Sequence, residues 1–157
     1  MHFDIRKYQN SDLPALANIY RGSIRHLGTK SYSKEQVEVW SSFSDDIQDF
    51  ENWLKGATTF VAVDSNNACV GFGGLEEHGR ISSLFVASEW MRKGVGTGLL
   101  GRLLEEARLH ALTMVTTEAS EFSRPLFEKC GFVVREIEYT EFKGVKFTRY
   151  VMQTRIQ

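Results

Sequence analysis

Arg92-Lys93-Gly94-Val95-Gly96-Thr97-Gly98 is the stretch whose residue types and spacing are best suited to chemistry, and that chemistry is the holding of an anion. Alternation predicts a strand over 81–86, a loop over 87–93 and then a helix. That helix carries Val95, Leu99, Leu100, Leu103, Leu104 and Ala107 on one side. Backbone N–H groups at a helix start have no intrahelical acceptor, and the helix dipole adds partial positive charge there. A phosphate or pyrophosphate suits such a place. Gly94 and Gly96 remove the Cβ atoms that would keep an anion from the backbone, and Arg92 and Lys93 add two mobile positive charges. Gly98 falls inside the first helical turns, where glycine costs about 1 kcal/mol relative to alanine. A leucine-rich helix has little local reason to accept that cost, so all three glycines read as part of the anion loop. A P-loop is excluded, because no Gly-Lys-Ser/Thr follows at the required spacing. The dinucleotide fingerprint is excluded too, since the third glycine comes one residue early and the segment follows an antiparallel hairpin.

The elements that must position this loop follow from periodicity and turn chemistry. Residues 2–8 alternate as a short strand, and Leu13, Leu16, Ala17, Tyr20, Ile24 and Leu27 recur at helical spacing. Ser33-Lys34-Glu35-Gln36 has the capping-box spacing and opens a second helix ending near Trp40. A short helix is predicted over 45–54, and strands over 58–63 and 68–75, joined by Asp64-Ser65-Asn66-Asn67. After the central helix come a strand over 112–117, a short helix over 123–129, and an antiparallel pair over 132–139 and 145–152 turning at Lys143-Gly144. Pro14 and Pro125 both fall in the first turn of a predicted helix, where proline is tolerated. The order predicts a mixed α/β sheet with one central crossover, neither doubly wound nor all-β.

The 157 residues fit one domain over 1–157, large enough to need no disulfide or metal staple. Net charge is −1 with no block of like charges, which argues against nucleic acid or an anionic membrane as a partner. Cys69 and Cys130 have no metal or redox spacing and read as small buried hydrophobes; His2 and His110 have no partner at ligand spacing, so no metal is implied. No run approaches the roughly 18 apolar residues of a membrane span, and the first residues lack the apolar core of a signal peptide. A cytoplasmic protein is expected.

Strand, loop, Arg-Lys-Gly-Val-Gly-Thr-Gly-Leu-Leu and leucine-rich helix together resemble the acetyl-CoA motif of the GNAT acetyltransferases, Q/R-x-x-G-x-G/A. Residues 119–132, with Arg124-Pro125-Leu126-Phe127-Glu128-Lys129-Cys130-Gly131-Phe132, resemble the family's second motif, a short helix ending in Gly-Phe. The resemblance runs from Phe3 to about Met152. Tyr32-Ser33-x-Glu35-Gln36-x-x-x-Trp40 further resembles a bacterial subgroup whose substrates are mostly unassigned. It implies the GNAT fold, an α/β (α+β) arrangement with a central mixed, mostly antiparallel seven-stranded sheet flanked by helices. It also implies an N-acetyltransferase using acetyl-CoA as co-substrate and an amine as acceptor, by direct attack in a ternary complex. Backbone groups of Leu84, Phe85 and Val86 would pair with the pantetheine arm as an added strand. The amides of Arg92, Lys93, Gly94, Val95, Gly96 and Thr97 would hold the pyrophosphate, and Phe127 would pack on the pantetheine end between splayed strands. The chain departs from the pattern twice: Met91 stands where the family has Gln or Arg, and Phe127 where it often has the tyrosine that protonates the leaving thiolate.

Acetyl transfer poses two proton problems. An ammonium of pKa about 10.4 must lose a proton before it attacks, and the leaving thiolate benefits from a donor. A strand amide near Val86 would serve the developing oxyanion. Glu118, at the end of the strand predicted over 112–117, and Glu76, at the end of a hairpin strand, are the candidate bases, with Glu77 and His78 read as turn residues. Ser120 is the candidate acid, with Ser123 and Tyr139 beside it, and proximity supplies much of the rate. For the acceptor, the first two helices and their connection offer Tyr32, Glu35, Trp40 and His26: Tyr32 and Trp40 to stack on the amine and Glu35 to attract its charge. Trp53, Trp90, Phe60 and Phe85 are expected to serve packing. A non-catalytic acyl-CoA-binding module and a nucleotide-binding protein of another class are the competing readings. The acceptor is left open, and so is a homodimer, an assembly common in this fold.

Overall fold

Seven strands pair into one sheet in the computed structural model, which describes all 157 residues. They are β1 (Asp4–Lys7), β2 (Thr58–Val63), β3 (Cys69–Leu75), β4 (Arg80–Val86), β5 (Met114–Ala119), β6 (Val133–Phe142) and β7 (Val145–Arg155). Five helices accompany them: α1 (Leu13–Ser31), α2 (Lys34–Ser41), α3 (Ile47–Lys55), α4 (Val95–Leu109) and α5 (Arg124–Lys129). The sheet order is β1-β2-β3-β4-β5-β7-β6. Every neighbouring pair is antiparallel except β4 with β5, which are parallel and joined by the α4 crossover. The expected mixed, mostly antiparallel architecture is therefore the one observed.

Strand alternation assigns the two faces of the sheet. Phe72 of β3 stacks on Phe85 of β4 at 5.5 Å and meets Phe50 and Trp53 of α3, so α1 and α3 cover this face. On the opposite face Gly71 lets α4 come close, and a Cβ there would stand 3.0 Å from Val95. Leu99, Leu100, Leu103 and Ala107 of α4 are fully buried against that face.

The helix ends follow local chemistry. Ser33 Oγ accepts from the Gln36 amide while Gln36 Oε1 accepts from the Ser33 amide, the reciprocal box expected at the start of α2. Pro14 and Pro125 lie in the first turns of α1 and α5. The boundaries differ most late in the chain. β5 begins and ends two residues after the predicted strand, which puts Glu118 inside it. The β6–β7 hairpin extends to Phe142 and Arg155 around Lys143 and Gly144, both at positive φ. No helix is long and apolar enough to cross a membrane.

Candidate active site

β4 and β5 pair at only two positions, Arg80 with Thr116 and Ile81 with Thr117. Beyond Ile81 the parallel strands diverge. β4 keeps its antiparallel partner β3 up to Val86, and β5 keeps β7 up to Ala119, so a wedge opens in the middle of the sheet. A cavity of about 410 Å³ lies at this wedge, walled by β4, β5, α2, the start of α5 and the β6–β7 hairpin.

The loop between β4 and α4 borders the same wedge. Arg92 and Gly94 both take positive φ, 61° and 86°, and the turn ends in the left-handed conformation at Gly94. The first helical bond of α4 is the Gly98 amide to the Gly94 carbonyl, 2.9 Å. None of the amides from Arg92 to Thr97 finds an acceptor within the protein. Gly96 approaches Leu126 of α5, where a Cβ would stand at 3.0 Å. Gly98 has another reason to be glycine than the anion loop: a Cβ there would come within 3.1 Å of the Phe3 ring, so it serves the docking of the N-terminal segment on α4.

Five charged side chains, one from each of five adjacent strands or their ends, form an alternating ladder across the sheet. Glu76, just after β3, accepts from Arg80 Nη1 at 3.0 Å. Arg80 of β4 crosses to Glu118 of β5 through Nε at 2.8 Å and Nη2 at 2.6 Å. Arg149 of β7 stands 4.0 Å from Glu118 through Nη1 and gives Nε and Nη2 to Glu138 of β6. The bonds from Glu118, then its charge and that of Glu76, hold the Arg80 guanidinium above its ordinary pKa against the lowering by burial. Arg80, Glu118 and Arg149 line the cavity.

Hydroxyl groups gather at the start of α5. The Ser120 amide donates to Ser123 Oγ, and the Ser123 amide to Ser120 Oγ. Ser120 Oγ also donates to Ser123 Oγ at 2.9 Å. Tyr32 Oη accepts from the Glu121 amide at 2.9 Å. Burial lifts the Tyr32 phenol above its ordinary pKa, with the Glu121 and Tyr150 charges adding to it, against the lowering by that amide bond. Tyr20 is pushed up by burial, and its hydroxyl donates to the Trp40 carbonyl.

The candidate residues divide by place. Glu118, Ser120, Tyr32, Trp40, Leu84, Phe85 and Phe127 all line the cavity. Val86 ends β4 at the wedge; Arg92 and Lys93 are exposed on the loop, Thr97 is exposed in the first turn of α4, and the Val95 side chain turns into the core. Three expectations are corrected. His26 and Glu35 are exposed and do not line the cavity, because each lies two residues from a buried position, Ile24 and Val37, and so about 200° around its helix. The Glu76 carboxylate is turned to Arg80 and to a second, smaller cleft beside Lys55 and His110, and does not line the cavity at the wedge. Trp53, expected only to pack, lines the cavity, as does the side chain of Phe85, whereas Phe60 and Trp90 are core. Reading the sequence missed Arg80, Arg149, Phe122 and Phe147 in the cavity wall; alternation in β4 and β7 could have put the two arginines on one face, but not across from Glu118.

A family profile described as an acetyltransferase (GNAT) domain matches residues 29–154. The uncharacterized N-acetyltransferase YafP of Escherichia coli K12 is 30% identical over 156 residues, which span 99% of this chain and 98% of that protein. A GCN5-related N-acetyltransferase from Rhodopseudomonas palustris superposes with a TM-score of 0.95 at 28% identity, over 99% of this chain and 97% of that one. Two more distant structures share the fold. The PaiA N-acetyltransferase of Thermoplasma acidophilum, solved with coenzyme A, has a TM-score of 0.80 at 19% identity over 99% of this chain and 100% of its own. YncA of Salmonella typhimurium, solved with acetyl-CoA, has a TM-score of 0.75 at 19% identity over 100% of this chain and 95% of its own. With the profile covering most of its length and a full-length relative beside it, the chain belongs to the GNAT acetyltransferases, a family of N-acetyltransferase enzymes.

Proposed function

We propose that this chain binds acetyl-CoA at the wedge and transfers the acetyl group to a primary amine in a ternary complex. The observation that carries this reading is the run of unpartnered amides from Arg92 to Thr97 beside the opening between β4 and β5. A run of unpaired N–H groups at a positive-φ turn suits a pyrophosphate, and Arg92 and Lys93 add charge to it. The free side of β4 at Leu84, Phe85 and Val86 suits an extended amide-bearing arm, which would pair there as an added strand. Buried Phe127 gives the inner end of that arm an apolar wall. At the level of the fold, the coenzyme A and acetyl-CoA of the Thermoplasma and Salmonella proteins support the same reading.

When bound, acetyl-CoA supplies a thioester open to attack by an amine. The residues at the cavity then do the rest. Glu118, fixed by Arg80, receives the acceptor's ammonium and draws it to the wedge. The free amine nitrogen bonds to the acetyl carbon as the carbon–sulfur bond breaks. Of the two protons the ammonium gives up, one leaves to solvent past Glu118 and one ends on the thiol. With Phe127 carrying no proton, the thiol's proton comes through the hydroxyl group of Ser120, Ser123 and Tyr32.

Thiol release from acetyl-CoA, measured against a panel of amines, tests this. Release that depends on an amine and falls at least about ten-fold in Glu118→Gln is expected. Amine-independent hydrolysis alone, or release indifferent to Glu118→Gln, would contradict it.

A further inference from the structure

The cavity at the wedge has two unlike parts, and together they describe an acceptor. This inference rests on the acetyl-transfer reading above and extends it to the class of amine.

The first part is the charged ladder. Its guanidinium groups are occupied: Arg80 gives Nε and Nη2 to Glu118 and Nη1 to Glu76, and Arg149 gives Nε and Nη2 to Glu138. Only Arg149 Nη1 is not hydrogen-bonded, and it is already 4.0 Å from Glu118. The Nε–Nη2 fork of each guanidinium is taken by a glutamate, and the Nη1 side of Arg149 is free. Arg80, Glu118 and Arg149 of the ladder line the cavity, and with Glu141 the lining carries two guanidiniums and two carboxylates. Glu118 is the ladder carboxylate that lines the cavity, and it sits on β5 beside the wedge where transfer takes place.

The second part is the remainder of the wall. Ten of the lining side chains are aromatic and only two, Ile81 and Leu84, are aliphatic. Those rings lie in two groups. Trp40 meets Tyr32 at 5.3 Å and Phe122 at 5.4 Å, and Phe147 of β7 closes this group at 6.4 Å. Facing elements contribute Tyr20, Phe43 and Trp53, with Phe43 edge-on to Trp53 at 5.4 Å. Trp40, Phe43, Phe122 and Phe147 are only partly buried, so ring surface is left for a ligand. The rim is bridged: Gln36 Nε2 donates to the Lys146 carbonyl at 2.9 Å and Lys143 Nζ to Ser42 Oγ at 2.9 Å, tying α2 and its following turn to the β6–β7 hairpin. A folded peptide does not fit in about 410 Å³ under such a rim, whereas a small molecule does.

We infer that the acceptor is a small amine carried on an aromatic body, with its ammonium at Glu118 and its ring between the aromatic walls. A saturated amine loses the edge-to-face and offset contacts that an aromatic ring makes with such walls, worth about three- to ten-fold each.

The test uses the full chain with saturating acetyl-CoA and reads thiol release. 2-Phenylethylamine and 2-cyclohexylethylamine have the same chain length and nearly the same ring size. The aromatic amine is expected to have a kcat/KM at least about ten-fold higher. Trp40→Leu and Phe147→Leu should each narrow the phenyl-to-cyclohexyl ratio while titration shows acetyl-CoA binding unchanged, and Glu118→Gln should lower both amines by the same factor. A ratio near one in the unaltered protein would overturn the inference, as would acetyl-CoA binding with neither amine acetylated. Failure to bind acetyl-CoA at all would instead sink the acetyl-transfer reading on which it rests.

Discussion

Gly94 sits at φ 86° and ψ 0°, and nothing lies within 4 Å of where its Cβ would stand. Gly94→Ala therefore changes the backbone preference of the turn without a clash, a cost of about 1–2 kcal/mol for an L-residue in the left-handed region. If the unpartnered amides make the grip, Gly94→Ala weakens acetyl-CoA binding by about ten-fold. The Arg92→Ala/Lys93→Ala double variant, which leaves the amides in place, then costs only a few-fold, and mostly at low salt. Calorimetric titration of both variants checks this, and the reverse order would move the grip to the side chains. A second prediction concerns protons. With Glu118 held by Arg80, the amine's proton goes to solvent and not to a dedicated base. The kcat/KM for an alkyl amine should rise about ten-fold per pH unit toward the amine's own pKa of about 10.4. A plateau setting in near neutral pH would reveal a dedicated base.

Among the elements, the join between β1 and α1 depends on one buried ion pair. Asp12 takes Arg6 Nη1 at 2.8 Å and Nη2 at 2.9 Å, and the Gln9 amide at 2.8 Å. Burial alone would raise the Asp12 carboxyl; the bonds from Arg6 and Gln9 outweigh it, and the pKa lies below the ordinary 3.8. Because the folded pKa is the depressed one, this stabilisation is present above the unfolded value and is lost as pH falls through the folded value. Asp12→Asn should thus cost about 2–3 kcal/mol at pH 7 in urea unfolding and distinctly less near pH 2. An equal cost at both pH values would deny the ion pair its role. The elements themselves were largely legible. The 3.6-residue recurrence of Leu16, Tyr20 and Ile24 and the Ser33–Gln36 box are local signals, and both formed as read. The shift in β5 and the longer hairpin were not legible, because register there is fixed by pairing with β7 and not by local preference.

Across the whole molecule, the nucleotide end of the site could be read from one contiguous stretch, because the loop and helix that form it are neighbours in sequence. The acceptor end could not. Arg80, Glu118, Glu138 and Arg149 each look like an exposed charge on its own strand, and only the strand order brings them into line. Phe147 reaches Trp40 from more than a hundred residues away, a contact no local pattern encodes. His26 and Glu35 failed for the converse reason: nearness in sequence to Tyr32 and Trp40 does not survive the turn of a helix. The central claim concerns the loop at Gly94, and calorimetric titration of the purified chain with acetyl-CoA, coenzyme A, ATP and NAD tests it most directly. Saturable binding of acetyl-CoA and coenzyme A, with ATP and NAD weaker by at least about ten-fold, is the predicted result. No binding of acetyl-CoA, or equal binding of ATP or NAD, would contradict it.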